Sequence, residues 1–242
     1  MKLLALETAT EACSVALWLD GEVVERFQIA PRRHAELTLP WAGQLLAEAG
    51  IARTQLDAIA LGRGPGAFTG VRLAIALAQG MALALDRPLL PVSTLAALAM
   101  RSAGRHVLAA IDARMGEVYV AAYERHDGGA SAPLPFRYGE ERVLSPDGFV
   151  LPAGAPADVT DWHGVGTGFA AVDGALRRVL DGRLATVAER ELPHAADVVR
   201  LGAAAFERGE ALAPERVEPA YLRDNVALTL AEQRALRESR SG

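Results

Sequence analysis

The sequence predicts an α/β protein with two lobes, and two observations support that prediction. Along the N-terminal half, short apolar segments of strand length alternate with longer segments of helical period. After Ser102 part of this pattern begins again, with two further strand-like segments that follow one another. The chain has 242 residues, of which 51% are hydrophobic, so it is long enough to bury roughly 70% of its unfolded surface in a core.

The N-terminal half opens with three predicted strands and a helix. The Asp20-Gly21 pair lies between two apolar runs, which is a strong signal of a β-hairpin. Leu37, Trp41 and Leu45 recur every four residues, as in an amphipathic helix. The predicted elements are strands at 3–6, 14–19 and 23–29, a helix ending at 49, a strand at 56–62, a helix at 70–85 and a strand at 88–92. Three antiparallel strands followed by helix, strand, helix and strand form one half of the actin-like or ribonuclease-H-like (ASKHA) fold.

The second half repeats this order incompletely. Its predicted strands are 107–111, 117–123 and a short one before the GVGTG segment, and its predicted helices are 95–102, 170–180 and 193–208. Residues 128–135 are rich in Gly, Ala, Ser and Pro and are predicted to be a loop. We therefore predict an N-terminal actin-like lobe at 1–103 and a truncated C-terminal lobe at 104–242 that includes a terminal helix and tail.

Composition excludes several classes of protein. With 25 basic and 30 acidic residues the formal net charge is -5, and no basic stripe is present, so direct nucleic-acid binding is not expected. The longest apolar run, 73–85, is shorter than the ~20 residues that span a bilayer. Glu7 interrupts the N-terminal apolar run before a signal-peptide core could form. We therefore expect a cytoplasmic protein without membrane association.

The residues that usually carry catalysis do not form a recognisable pattern. The five histidines show no His-x-x-x-His spacing, so no metal site is expected. The Gly-Lys-Ser/Thr tripeptide of a P-loop is absent. The single cysteine, Cys13, cannot form an internal disulfide and is flanked by apolar residues, as is typical of a core position. We predict no catalytic residue, no metal and no cofactor.

Two glycine-rich segments leave ligand binding open. The loop GRGPGAFTG, Gly62–Gly70, directly precedes a predicted helix, whose N-terminus would attract an anion. A constrained turn that lets two backbones approach explains the same glycines. Gly64 and Gly66 are therefore weak candidates for a phosphate contact, and the shorter GVGTG segment at Gly164–Gly168 leaves the same two readings open.

The helix at 70–85 is apolar nearly all round. Ala74, Ala78 and Ala82 form one ridge of small side chains, and Ala76, Gly80 and Ala84 form another. Such a helix is either fully buried or packs closely against a helix of a partner. The predicted partner surface comprises Leu37, Trp41, Leu45, Leu73, Ala74, Leu77, Ala78 and Met81.

Several segments resemble the TsaB family, the non-catalytic partner proteins of bacterial tRNA threonylcarbamoyladenosine synthesis. They are LLALETATEACSVAL, RRHAELTLPWAGQLL, LDAIALGRGPGAFTGVRLAIALAQGMALAL, PVSTLAALA and PAYLRD. The resemblance covers residues 1 to about 125 well. It implies a heterodimer with TsaD, the catalyst that attaches a threonylcarbamoyl group to adenosine in tRNA. It also implies that the ATPase TsaE joins this TsaB–TsaD complex. We expect that the free protein can form a homodimer.

The resemblance also bears on catalysis. TsaD-like proteins carry a His-x-x-x-His metal pair where this chain has Thr94 and Leu98, which could not hold a metal. Thr8 and Thr10 lie in a turn that resembles the phosphate-contacting turn of actin-like ATPases, although Ala9 stands where many of them have glycine. The resemblance therefore implies an accessory subunit. The alternative is a small ASKHA-fold ATPase or kinase, whereas a peptidase would need a metal pair, a triad or an activated cysteine.

Overall fold

The computed structural model describes residues 1–125 and 135–223, which form two five-stranded sheets with flanking helices. The strands are Lys2–Glu7 (β1), Ala12–Leu19 (β2), Glu22–Ile29 (β3), Ala58–Gly62 (β4), Leu89–Val92 (β5), His106–Arg114 (β6), Glu117–Arg125 (β7), Pro135–Leu144 (β8), Trp162–Val165 (β9) and Leu184–Ala188 (β10). The helices are His34–Glu48 (α1), Phe68–Leu85 (α2), Thr94–Ala99 (α3), Ala171–Val179 (α4) and Ala195–Glu207 (α5).

The two sheets have the same topology. The first has the order β3-β2-β1-β4-β5 and the second the order β8-β7-β6-β9-β10. In each, the first three strands are antiparallel and the last two run parallel to the first. The predicted two-lobed α/β fold is confirmed, and the truncation affects the helices rather than the strands. In the first sheet, the helix α1 connects β3 to β4. In the second sheet, the corresponding connection between β8 and β9 contains the 3₁₀ turn Pro146–Gly148 and no α-helix in its described residues.

Helices cover both faces of the first sheet. On one face α1 and α2 pack on aliphatic side chains such as Leu6, Val15 and Ile59. On the other face α5 packs on small side chains that include Ala5 and Ala60. The helix α5 follows the second sheet in sequence and yet completes the first, so the predicted division of the chain at residue 103 separates α5 from the sheet that it covers. That division remains a prediction.

The helix α3 lies between the two sheets. Its Ala97 packs with the first sheet, whereas Leu95 and Leu98 pack with the second. Ser93 caps the helix by accepting a hydrogen bond from the N–H of Ala96 at 3.1 Å, and its hydroxyl also donates to Glu141 of β8. The cap of this short helix is thus also a bond to the second sheet.

A partly buried polar cluster fixes the N-terminus of α5. Glu25 of β3 accepts hydrogen bonds from the Ser14 hydroxyl at 2.6 Å and from the N–H of Ala196 at 3.0 Å, and its other oxygen lies 2.9 Å from His194 Nδ1. The His194 ring stacks on Phe27 with centroids 4.0 Å apart. Ser14 donates to the carboxylate rather than to the histidine, so these residues anchor a helix and are not arranged as a nucleophile and its base.

We predict that Glu25→Gln lowers the free energy of unfolding by about 1–3 kcal/mol at pH 7. Burial disfavours the charge of Glu25, but hydrogen bonds from His194 and Ser14 outweigh this effect and hold its pKa below the usual 4.5. The stabilisation is therefore present above pH 4.5 and is lost as the pH falls through the lowered pKa. Thermal melting at pH 7 and pH 3 measures the difference.

Glu22→Gln is the matched control, because Glu22 is exposed on the same strand. It should leave the melting temperature unchanged at both pH values. Equal melting of Glu25→Gln and the wild-type protein at pH 7 would contradict the anchoring role.

Candidate functional site

A buried carboxylate lies where the first sheet meets α3. Glu7, at the end of β1, is 1% exposed. One of its oxygens accepts from the N–H of Ala9 at 2.7 Å and the other from the Thr94 hydroxyl at 3.2 Å. Burial raises the pKa of Glu7 to about 7, although the hydrogen bonds from Ala9 and Thr94 partly oppose the shift. A Cβ at Gly62 would lie 2.0 Å from Glu7 Oε2, so this strand position requires glycine.

The residues at the expected metal position do not fit a metal ion. Thr94 and Leu98 are both fully buried, and the Thr94 hydroxyl donates to Glu7. Leu98 has no donor atom, and a neutral hydroxyl is a poor ligand for zinc or iron. Within residues 1–125 and 135–223, no group of three or more His, Cys, Asp or Glu side chains could hold a metal.

A cavity of about 740 Å³ lies between the two sheets; we call it the inter-sheet cleft. The first sheet and its helices contribute Thr10, His34, Gly66, Phe68 and Arg72, among others. The second sheet contributes Asp112, Arg114, Tyr119 and Thr167, and residues 219–223 form another wall. The sequence analysis did not identify this cleft, because residues from distant parts of the chain line it.

The four candidate phosphate-contacting residues do not share one position. Thr10 and Gly66 line the inter-sheet cleft. Thr8 is fully buried and its hydroxyl donates to the Gly70 carbonyl at 2.7 Å, so that hydroxyl faces the chain itself. Gly64 is buried against Val71. A ligand contact by these residues remains a prediction, and for Thr8 the structure gives the hydroxyl another role.

Close backbone approach accounts for two glycines of the loop before α2. A Cβ at Gly66 would lie 2.4 Å from the Ala9 carbonyl oxygen, and one at Gly70 would lie 2.0 Å from the Thr8 carbonyl oxygen. The N–H of Ala67 donates to the same Ala9 carbonyl at 2.7 Å. The loop therefore packs directly on the turn after β1. This agrees with the interpretation that the glycines form a constrained turn in which two backbones approach.

One side of α2 is apolar and exposed. We define the outer stripe as Leu73, Ala76, Leu77, Gly80, Leu83 and Ala84, which recur at helical spacing with no charged residue between Arg72 and Asp86. Leu83 is 69% exposed, and Ala76, Gly80 and Ala84 are exposed as well. Exposed apolar stripes of this kind mark interaction surfaces.

The structure corrects the predicted partner surface at three residues. Leu45, Ala74 and Ala78 are buried within the chain because their small or aliphatic side chains pack on the first sheet or its helices, so they cannot contact a partner. The other five, Leu37, Trp41, Leu73, Leu77 and Met81, are half-buried and remain predicted partner contacts. The sequence analysis noted the ridge of Ala76, Gly80 and Ala84 but did not place it outside.

Among the described helices, α2 is the one that is long and apolar enough to cross a membrane, with a mean hydropathy of 1.6 over 18 residues. A third of this segment is buried, and Ala78 and Ala82 belong to the core on the first sheet. We therefore interpret α2 as a helix of the globular fold that has one exposed apolar side.

We predict that Glu7→Gln raises stability at pH 8 and has little effect at pH 5. The folded protein favours protonated Glu7, so wild-type stability falls as the pH rises from 4.5 to about 7, by roughly 3 kcal/mol in total. Glutamine keeps the same shape without a charge. Thermal melting at the two pH values measures the change in stability. Glu11→Gln is the control, because Glu11 is exposed on the following turn. An equal effect of Glu7→Gln at both pH values would contradict it.

Comparisons with known proteins agree with the sequence resemblance. A family model described as TsaD, tRNA N6-adenosine threonylcarbamoyltransferase, matches residues 27–230. The tRNA threonylcarbamoyladenosine biosynthesis protein TsaB of Escherichia coli (strain K12) is 42% identical over 233 residues, covering 94% of this chain and 96% of the relative. The TsaB protein of Haemophilus influenzae is 36% identical over 233 residues, covering 93% and 95%.

A solved structure extends the similarity to three dimensions. YeaZ from Pseudomonas aeruginosa is 44% identical and superposes with a TM-score of 0.81, covering 91% of this chain and 99% of that one. Together with the family model, this similarity confirms the actin-like fold that the order of strands and helices predicts. The relatives match over nearly their whole length, including the second half, where the sequence pattern is weak. The chain therefore belongs to the TsaB family, whose members are named for the biosynthesis of threonylcarbamoyladenosine in tRNA.

Proposed function

We propose that this chain is an accessory subunit that binds and activates TsaD, the catalytic tRNA N6-adenosine threonylcarbamoyltransferase, and that it has no transferase activity alone. The outer stripe of α2 is the observation that carries this proposal. Met81, half-buried on α2, lies one helical turn from Leu77 and Ala84 of the stripe. TsaE would join through the complex rather than through this chain alone.

The outer stripe favours a helix of a protein partner. Each leucine side chain that becomes fully buried contributes about 1.5–3 kcal/mol relative to its exposed state. Ala76, Gly80 and Ala84 have almost no side chain, so a partner helix can approach the α2 backbone closely. Close approach and leucine burial together suit a stable interface better than a transient one.

The lack of transferase activity in the chain alone is supported by residues of the interior. The hydroxyl of Thr94 donates to Glu7 and the side chain of Leu98 packs in the core against the second sheet. These residues occupy the place of the metal-binding histidines in the TsaD-like pattern. A chain with this interior would contribute to the reaction by binding and positioning its catalytic relative.

A homodimer would use the same stripe. Two copies that pack α2 on α2 form a self-complementary interface around a two-fold axis. Binding of TsaD to the stripe would then exclude the second copy, so the homodimer and the heterodimer are alternatives and compete by mass action.

We predict that Leu83→Asp weakens binding to TsaD at least about 100-fold and leaves the free chain folded. Leu83 is 69% exposed, so an aspartate there costs little in the free chain but would place an unpaired charge in the interface. Calorimetric titration of the purified chain with TsaD from the same organism measures the affinity, and size-exclusion chromatography measures the homodimer.

Val150→Asp is the control, because Val150 is 67% exposed and belongs to the second half of the chain. It should bind TsaD like the wild type. If Leu83→Asp binds as tightly as Val150→Asp, the outer stripe is not the interface. Ala78→Arg is unsuitable as a test, because Ala78 is fully buried and the variant would unfold.

A further inference from the structure

An arginine at the mouth of the inter-sheet cleft lies between two aromatic rings. The Arg72 guanidinium carbon is 3.3 Å from the centroid of the Phe68 ring and 5.1 Å from that of the Tyr221 ring. Its nitrogens donate to the Phe68 carbonyl at 3.1 Å and to the Tyr221 hydroxyl at 2.6 Å. Both acceptors are neutral, and Arg72 pairs with no carboxylate in the described residues. We call these three residues the arginine stack.

The segment that carries Tyr221 is fixed to both sheets. The Gln79 amide of α2 donates to the Pro214 carbonyl at 2.9 Å, and the N–H of Ala220 donates to the Arg63 carbonyl at 2.9 Å. Two residues after Tyr221, Arg223 donates to the Ala113 carbonyl of the second sheet at 3.2 Å. The arginine stack is therefore held in place before any partner arrives, which lowers the entropic cost of binding.

The mouth of the cleft is apolar, aromatic and locally positive. Phe68 and Tyr221, which line the cleft, are 66% and 60% exposed. Arg32 lines the cleft and forms no hydrogen bond or ion pair with the described residues. The other charged or titratable groups of the lining are Glu11, His34, Asp112, Arg114, Tyr119 and Arg223. Asp112 pairs with Arg114 at 2.8 Å and Arg223 pairs with Glu117, so among the described residues Arg32 and Arg72 are the cleft arginines that form no ion pair with a carboxylate.

We propose that the arginine stack is a second contact site for TsaD, and that it takes an acidic segment of that protein. A partner carboxylate would bond to Arg72 while a neighbouring apolar side chain packs on Phe68 and Tyr221. The inference rests on the proposed function and extends it, because Phe68 and Arg72 belong to α2 and are continuous with the outer stripe. Tyrosine and arginine are also enriched among the residues that dominate binding energy.

Charge favours an acidic peptide over RNA at this site. A nucleic-acid backbone is bound by neutralising several phosphates at once, whereas Arg114 and Arg223 are already paired with Asp112 and Glu117. The chain as a whole carries a net charge of -5, which repels a polyanion at long range. A single carboxylate needs only one guanidinium, which Arg72 supplies in a fixed orientation.

The test compares Arg72→Met with Arg216→Met in the full-length chain. Both remove one positive charge, and Arg216 is exposed in the neighbouring 3₁₀ turn Pro214–Arg216. Affinity for purified TsaD is measured at low and high salt, and melting temperature confirms folding. Arg72→Met should weaken binding at least tenfold at low salt and reduce the salt dependence, since a charge-assisted contact is lost. Arg216→Met should stay within twofold of the wild type.

Two further variants separate the effect of the Arg72 charge on binding from the effect of a displaced C-terminal segment. Tyr221→Phe loses the hydrogen bond to Arg72 but keeps both the charge and the ring, so it should bind within about threefold of the wild type. If it weakens binding as much as Arg72→Met does, the lost bond to the segment explains the result and the proposal is overturned. Phe68→Ala removes an exposed ring and should weaken binding at least fivefold. It replaces Arg72→Met as the test if that variant does not fold.

The outcomes distinguish this inference from the proposed function. If the wild-type chain does not bind TsaD, the proposed function itself fails. If Leu83→Asp abolishes binding while Arg72→Met and Phe68→Ala bind like the wild type, only the second contact site is disproved. If those two variants instead weaken binding of tRNA to the assembled complex without changing its assembly, the site contacts RNA and the proposal of an acidic peptide is wrong.

Discussion

The burial of α3 between the two sheets is the constraint on which the rest of the structure depends. Its first residue bonds to the first sheet through Glu7, and the capping Ser93 bonds to the second through Glu141. Glu141 is itself buried, 3.3 Å from Arg137, and close to the hydroxyl of Tyr123. Because the helix is short and its side chains pack on both sheets, neither sheet can shift without breaking a buried polar contact. The inter-sheet cleft and the residues at its mouth are therefore held at a fixed separation.

The helix α2 shows how one pattern of residues serves two purposes. Its inner ridge of alanines lets the helix pack closely on the sheet, and its outer ridge of small residues leaves the backbone open to a second helix. A sequence shows both ridges but not which of them faces the sheet, since the two have nearly the same composition. The rotation of α2 about its axis is decided by Val71 and Ile75, which pack in the core beside the inner ridge. This is why the predicted partner surface included Ala74 and Ala78 and omitted Leu83.

Elements with strong local signals were predicted, and those that depend on distant contacts were not. Hydrophobic period and turn residues identified β1 to β5 and the four longer helices to within a few residues. The strand β8 was missed because Arg137, Glu140 and Glu141 interrupt its apolar residues, and β10 because it is short and largely exposed. The inter-sheet cleft could not be predicted, because its lining joins residues more than 200 positions apart. Glu7 stands out in the sequence as a charge in an apolar strand, but its bond to Thr94 is visible only in the structure.

The packing of α5 on the first sheet has a consequence for synthesis of the chain on the ribosome. The helices α1 and α2, which cover one face of that sheet, emerge before its last strand, β5. The helix that covers the other face, Ala195–Glu207, is synthesised only after the strands of the second sheet. At ordinary rates of translation the delay is on the order of ten seconds. During that time Leu3, Ala5 and Ala60 lack their cover, and the nascent chain presents an aliphatic surface to solvent. The N-terminal half therefore needs either protection by a chaperone during translation or a sheet that forms late.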